Sequence, residues 1–253
     1  MSVSKKEYKR VTVKSLIEMK SLGEKISMLT AYDYTMAKIV DGAGVDVILV
    51  GDSASNVMAG HETTLPITLD HMIYHASSVV RAIDRALVVV DLPFGTYQSD
   101  SKEALRSAIR IMKESGGHAV KLEGGKEIKD SIKKILNAGI PVMGHLGLTP
   151  QSVHVLGGFK VQGRGEDGAR IIADAKALEA AGVFALVLEL VPEELATQIS
   201  KELSIPVIGI GAGAGCDAQV LVWTDLMGIT KNAPKLAKAY RNLRIEMLGA
   251  AKE

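Results

Sequence analysis

Polar side chains that can do chemistry stand at the ends of several apolar runs in this sequence. Asp52 and Asp91 follow runs of valine, isoleucine and leucine, and Glu189 ends a third run. Lys121 and Glu123 lie two residues apart in a fourth run, so on a strand both would point to one face. Uncompensated buried charge is costly, so this many ionisable groups at strand ends indicate a functional site.

The acidic residues of this set suit a magnesium site. Asp52, Asp91 and Glu123 offer the oxygen ligands that Mg²⁺ prefers, and Mg²⁺ keeps several waters that a substrate can replace. A 2-oxo acid would chelate the ion through a carboxylate oxygen and the keto oxygen, and the ion would polarise the carbonyl. The adjacent C–H then becomes acidic, and Glu189 is a candidate for the base that removes its proton.

Other polar residues at these strand ends are candidates for holding the substrate. These substrate-binding candidates are Asp52, Ser53, Asp91, Lys121 and His145, and the two aspartates among them are also candidate metal ligands. Lys121 and Ser53 would bind the substrate carboxylate, and we expect His145 in the pocket. Structural interpretations stay open for single residues: Asp52 can cap the next helix, and His145 can be a core histidine.

The apolar runs alternate with amphipathic segments, which is typical of parallel strands buried on both faces. The eight candidate strands begin at Lys25, Val45, Ala86, His118, Pro141, Ala185, Pro206 and Gln219. Eight such repeats in 253 residues predict an α/β protein with a (β/α)8 TIM barrel, and an open doubly wound sheet is the alternative. A barrel would gather the polar residues, because the C-terminal ends of its strands meet at one face.

The chain shows no internal boundary, so residues 1–253 are predicted to form a single domain. Residues 1–24 would be an N-terminal helical extension, and residues 233–253 would form a C-terminal helix. The glycine-rich stretch 146–168 follows the fifth strand. A loop of this length in a compact domain is usually functional, so we expect a lid there, with a plain surface excursion as the alternative.

Composition excludes several classes of function. The net charge is +1 and aromatic residues make up 4%, so nothing favours binding to nucleic acid. One cysteine rules out a disulfide framework and a cysteine-based zinc site. The sequence has neither a run long enough to cross a membrane nor a signal peptide, so we expect a cytoplasmic protein without membrane contact.

Several motifs in this chain resemble those of the ketopantoate hydroxymethyltransferase family. They occur in the order LVGDS, VDLPF, VKLEGG, GHLGLTPQSV, GGFKVQGRG and LVLELVP, and the resemblance runs from about Thr30 to Ile229. It implies a barrel of the phosphoenolpyruvate/pyruvate type. It also implies transfer of a hydroxymethyl group from 5,10-methylenetetrahydrofolate to 3-methyl-2-oxobutanoate, which gives 2-dehydropantoate for pantothenate and coenzyme A biosynthesis.

The resemblance also assigns roles to residues. Its motifs place Mg²⁺ on Asp52, Asp91 and Glu123, the oxo acid on Ser53 and Lys121, the proton acceptor at Glu189 and His145 in the pocket. It implies a homo-oligomer, a homodecamer. The chain departs from the family pattern at Ala218 and Thr224, near the eighth strand, where the family has glycine and histidine.

Two other functions stay open at the level of the sequence. A Mg²⁺-dependent C–C lyase of the same barrel superfamily would use a similar strand-end site on a 2-oxo or hydroxy acid, but without a folate donor. A catalytically silent barrel that binds a small acid is the third possibility. The intact set of acids and lysine argues against it.

Overall fold

The computed structural model describes residues 9–253 and shows a closed barrel of eight parallel strands in the order β1 to β8. The strands are Ile26–Thr30, Val47–Val50, Leu87–Asp91, Ala119–Glu123, Val142–Gly147, Ala185–Glu189, Val207–Ile210 and Ala218–Leu221. Seven of the eight apolar runs contain one strand each, and β8 begins one residue before its predicted start at Gln219. The predicted TIM barrel is therefore confirmed, and the open doubly wound sheet is wrong, because β8 pairs with β1.

Helices connect most of the strands and cover the outside of the barrel. The α-helices α1 to α11 are Val13–Ser21, Tyr34–Gly42, Ala54–Val57, Leu69–Ala82, Ser101–Arg110, Lys129–Asn137, Val153–Leu156, Asp167–Ala181, Glu193–Glu202, Trp223–Leu226 and Leu243–Ala250. Their boundaries follow local sequence signals. Thr68 caps α4 by accepting a hydrogen bond from the amide of His71, and Gly182 ends α8 in the left-handed conformation.

The strands send alternate side chains into the barrel, and this alternation aims the polar residues. Buried apolar residues of the interior include Val89 on β3, Ala119 on β4 and Val187 on β6. Each of these is followed, two residues later on the same strand, by a polar residue: Asp91, Lys121 or Glu189. The period of two along a strand therefore turns these polar side chains into the C-terminal mouth of the barrel.

Helix α1 lies at the opposite end of the barrel. Its Leu16 is 1% exposed and belongs to the same apolar cluster as the barrel interior. The Lys20 ammonium lies 2.7 Å from Asp217 Oδ2 and ties the helix to the chain before β8. Residues 1–8 of the predicted N-terminal extension lie outside the described residues.

The C-terminal region differs from its prediction. The sequence pattern predicts a helix over 233–253, but α11 covers only Leu243–Ala250. The amide of Tyr240 donates to the carbonyl of Leu226 at 2.8 Å, and the amide of Leu243 donates to Met227 at 3.1 Å. These amides cannot also serve an early helix, so contacts with the chain around α10 override the helical pattern. A seven-residue turn between Ile210 and Ala218 joins β7 to β8 without a helix.

Gly147 at the end of β5 lies close to the backbone of β6. Its φ is +91°, and a Cβ at this position would overlap the carbonyl oxygen of Glu189 and contact Val191 at 2.8 Å. The amide of Leu148 donates to that same carbonyl at 2.8 Å. Glycine is therefore needed here for conformation and for space.

We expect Gly147→Ala to destabilise the protein more than Gly139→Ala. Gly139 has a similar φ of +81°, but a Cβ there would meet no atom within 4 Å. The control should lose about 1–2 kcal/mol from the left-handed conformation alone, and Gly147→Ala about 1–3 kcal/mol more from overpacking. Urea unfolding of both variants measures the difference. Equal losses would show that the contact with Glu189 has no energetic weight.

Candidate active site

One cavity at the C-terminal mouth of the barrel gathers the residues singled out in the sequence. Its volume is about 560 Å³. All seven candidates line it: Asp52, Ser53, Asp91, Lys121, Glu123, His145 and Glu189. Five strand ends contribute these side chains, as the barrel prediction required.

Lys121 is the buried cation of this cavity. It is 4% exposed, and its Nζ lies 3.0 Å from Asp91 Oδ1 and 3.9 Å from Glu123 Oε1. Burial alone would lower the pKa of Lys121, but the charges of Asp91, Glu123 and Asp52 outweigh it and raise this pKa above its ordinary value. The lysine therefore stays positively charged and can attract an anion.

His145 joins the lysine and acid cluster to the predicted base. Its Nδ1 lies 3.3 Å from Glu123 Oε1, and its Nε2 lies 3.4 Å from Glu189 Oε2. Burial and the charge of Lys121 lower the pKa of His145, but hydrogen bonding to the two glutamates outweighs them and raises it to about 9. Each ring nitrogen of His145 thus faces a carboxylate, and both a functional role for His145 and the interpretation as a core histidine stay predictions.

Asp52 and Asp91 meet where β2 and β3 end. The amide of Asp52 donates to Asp91 Oδ2 at 3.0 Å. Burial and the charges of Glu123 and Asp91 raise the pKa of Asp52 well above its ordinary value. Asp52 does not cap the following helix, since α3 has no side-chain cap. Beside it, Ser53 Oγ lies 2.8 Å from the hydroxyl of Tyr32.

The donor set fits a divalent cation in its chemistry. Asp91 Oδ1 is buried, and its partner is the Lys121 ammonium at 3.0 Å. Burial and the nearby charges of Glu123 and Asp91 raise the pKa of Asp52. Residues 9–253 contain no group of three or more His, Cys, Asp or Glu side chains already arranged as a metal site. Mg²⁺ needs fewer protein ligands, because it is often bound by one or two carboxylates and keeps its waters.

Gln151 is a structural element of the site that the sequence analysis missed. It lies in the 3₁₀ turn Pro150–Ser152 after β5 and is 7% exposed. Its Nε2 donates to Asp52 Oδ2 at 2.9 Å, and its backbone amide donates to Glu123 Oε2 at 2.9 Å. Its Oε1 accepts a hydrogen bond from the Tyr97 hydroxyl at 2.7 Å. Gln151 thus holds two predicted metal ligands from one side.

The stretch 146–168 is more ordered than the long loop expected. Its first half contains the turn of Gln151 and helix α7, and its second half contacts the chain after the predicted base. There the amide of Gln162 donates to the carbonyl of Leu190 at 2.8 Å. The backbone φ of Leu190 is +45°, which is unusual for a residue other than glycine. Movement of this stretch as a lid remains a prediction.

Comparison with known proteins identifies the family. The family model described as ketopantoate hydroxymethyltransferase matches residues 10–253. The chain belongs to the ketopantoate hydroxymethyltransferase family. Curated 3-methyl-2-oxobutanoate hydroxymethyltransferases of Christiangramia forsetii and Flavobacterium johnsoniae are 70% and 71% identical to it, over 99% of this chain and 93% of each relative.

Solved structures support the fold of this ketopantoate hydroxymethyltransferase family member. A phosphonopyruvate hydrolase in complex with oxalate and Mg²⁺ superposes with a TM-score of 0.63 at 11% identity, over 96% of this chain and 84% of the other. A 2,3-dimethylmalate lyase of the PEP mutase/isocitrate lyase superfamily gives 0.61 at 17% identity, over 83% and 80%. Because the sequence identities are this low, these comparisons support only the barrel fold.

The family resemblance and the predicted class of enzyme, a hydroxymethyltransferase, are thereby confirmed. The individual roles of the site residues are not tested by these comparisons and stay predictions. Within the described residues, no helix has both the length and the apolar character that crossing a membrane requires.

We expect Gln151→Leu to lower the free energy of unfolding by about 2–3 kcal/mol, because it removes the buried amide that donates to Asp52 Oδ2 and to the carbonyl of Leu92. Gln198→Leu is the matched control, since Gln198 makes one exposed hydrogen bond to Glu202. The control should change stability by less than about 0.5 kcal/mol. Urea unfolding checks both values, and similar small losses would mean that Gln151 does not brace the site.

Proposed function

We propose that this chain transfers a hydroxymethyl group from 5,10-methylenetetrahydrofolate to 3-methyl-2-oxobutanoate and forms 2-dehydropantoate, on the route to pantothenate and coenzyme A. The observation that carries the proposal is the placement of Lys121 and Glu189 in one cavity, with Glu123 and His145 between them. An anion-binding cation and a carboxylate base thus act on the same small ligand. The names of the close relatives supply the oxo acid and the transferred group, and the folate donor is proposed on the family resemblance.

A magnesium ion would be held by Asp52, Asp91 and Glu123, the carboxylates that converge beside Lys121. When bound, the ion supplies Lewis acidity to the keto group of the substrate. The phosphonopyruvate hydrolase of the same fold has Mg²⁺ with oxalate, itself a dicarboxylate. Here that parallel supports only the choice of ion.

Side chains of the protein bind the substrate and transfer its proton. Lys121 and Ser53 bind the carboxylate of the oxo acid, and Tyr32 orients the Ser53 hydroxyl through their 2.8 Å hydrogen bond. Glu189 takes the proton from C3 of the oxo acid. His145 Nε2, which lies 3.4 Å from Glu189 Oε2, would orient that carboxylate. Overall, one C–C bond forms at C3, one water is consumed and tetrahydrofolate leaves.

A C–C lyase is the second candidate, because a 2,3-dimethylmalate lyase shares the barrel. The requirement for a folate donor distinguishes the lyase reaction from the proposed hydroxymethyl transfer. A lyase would turn over its acid without folate, whereas the proposed reaction stops when 5,10-methylenetetrahydrofolate is withheld. We further propose, on the family resemblance, that the protein is a cytoplasmic homodecamer.

We expect the protein to exchange the C3 proton of 3-methyl-2-oxobutanoate in deuterium oxide with Mg²⁺ and without folate. Glu189→Gln should still bind the oxo acid but lose about 100-fold or more of the exchange rate, since a general base contributes about that much. Glu194→Gln, an exposed acid on α9, is the control and should exchange normally. Proton NMR follows the exchange. A Glu189→Gln protein that exchanges at the normal rate would remove Glu189 from the role of base.

Removal of divalent ions should abolish this exchange. After treatment with a chelator, the C3 proton should exchange no faster than in buffer, and added Mg²⁺ should restore the rate, because the carbonyl is no longer polarised without the ion. NMR of the same reaction before and after readdition measures the effect. Full exchange in the chelated protein would contradict a metal role for Asp52, Asp91 and Glu123.

A further inference from the structure

One wall of the active cavity is built outside the strands of the barrel. Residues of the segment 229–244, which follows β8 and α10, line the cavity together with the strand-end residues. Two of them are cationic, Lys231 and Arg244. The catalytic roles assigned above use neither residue.

Backbone contacts fix this wall against the barrel. Besides the bonds of Tyr240 and Leu243 described above, the amide of Arg244 donates to the carbonyl of Gly228 at 3.2 Å. Gly228 has a φ of +66°, and a Cβ there would overlap the carbonyl oxygen of Arg241. The close return of the chain at Gly228 therefore places Arg244 at the cavity.

The segment 229–244 carries only positive charge, since it contains five lysines and arginines and no aspartate or glutamate. The buried carboxylate of Asp225, which precedes this segment, also lines the cavity. In the part of the chain that the structure describes, neither Lys231 nor Arg244 forms a salt bridge. The inner end of the cavity has the opposite character, with the carboxylates Asp52, Asp91 and Glu123. A ligand that spans the cavity would meet free cations at its outer end.

The cavity is also larger than the oxo acid requires. Its volume of about 560 Å³ lies in the range of about 300–1,000 Å³ that accommodates drug-sized ligands. A five-carbon acid bound at Lys121 and Ser53 leaves most of this space to a second substrate. That substrate must bring its one-carbon unit to the inner end, so its remainder extends toward the cationic wall.

We propose that Lys231 and Arg244 bind the glutamyl carboxylates of the folate donor. The inference rests on the proposed function, which makes a reduced folate the second substrate. The glutamyl tail of a folate carries carboxylates at the end remote from the one-carbon unit, and each added glutamate adds another. The guanidinium of Arg244 suits paired contacts with a carboxylate, and Lys231 adds a second positive charge.

The test compares the double variant Lys231→Gln/Arg244→Gln with wild type and with Lys235→Gln. Lys235 belongs to the same segment and is exposed, but it does not line the cavity. Hydroxymethyl transfer by each protein is assayed with two forms of the methylenetetrahydrofolate donor, one monoglutamyl and one triglutamyl, and the Michaelis constant for each donor is determined. The rate of C3 proton exchange in the oxo acid without folate is measured alongside.

For the double variant we expect the Michaelis constant for the triglutamyl donor to rise about three- to tenfold, because two exposed ion pairs with the donor are lost. The constant for the monoglutamyl donor should rise less, and the exchange rate and Lys235→Gln should match wild type. The difference between double variant and wild type should shrink at an ionic strength of about 1 M, where charges are screened within about 3 Å.

Three results would overturn the inference. One is a Michaelis constant for the triglutamyl donor that stays within about twofold of wild type, below the smallest rise expected of two ion pairs. Another is an equal rise in Lys235→Gln, which would point to general surface charge. The third is a parallel loss of proton exchange, which would place the two residues at the oxo-acid site. A wild-type protein that exchanges no proton and transfers no hydroxymethyl group would instead contradict the proposed function, and the folate tail with it.

Discussion

The balance of buried charge at the C-terminal mouth of the barrel is the constraint on which the rest of the site depends. Five ionisable side chains there are each at most 6% exposed: Asp52, Asp91, Lys121, Glu123 and His145. Such groups are tolerated only when they partner one another, because an isolated buried charge is costly. Even with Lys121 and His145 both charged, the carboxylates exceed the cations, and this surplus suits a divalent cation and disfavours a purely structural cluster.

The barrel meets this constraint with its strands and with the loops that follow them. Strand alternation places Lys121 and Glu123 on one row of β4, and pairing of β4 with β5 sets Glu123 beside His145. The loop after β5 then adds Gln151, which satisfies oxygens of Asp52 and Glu123 from the other side. Rigid strands thus fix the direction of the charges, and a docked turn completes their hydrogen bonding. A site built in this way is preorganised for its ligands.

The sequence predicts the strand-borne part of this arrangement well, because continuous apolar runs and a period of two determine which side chains enter the barrel. The role of Gln151 could not be predicted, since it contacts Asp52 across 99 positions of the chain and its loop shows no polar pattern of its own. The prediction of one long C-terminal helix is wrong. The basic and apolar residues of that segment have a helical spacing, but backbone bonds to Leu226 and Gly228 hold it in another conformation. In both places long-range contacts decide the structure.

The central claim is that the oxo acid lies between the buried charges and Glu189, with its C3 turned toward that carboxylate. A crystal structure with Mg²⁺ and 3-methyl-2-oxobutanoate measures this directly. The account predicts the substrate carboxylate at Lys121 and Ser53, and C3 at about 3–3.5 Å from a Glu189 oxygen, the separation of reacting atoms. An oxo acid bound with C3 turned away from Glu189, or bound outside this cavity, would contradict it.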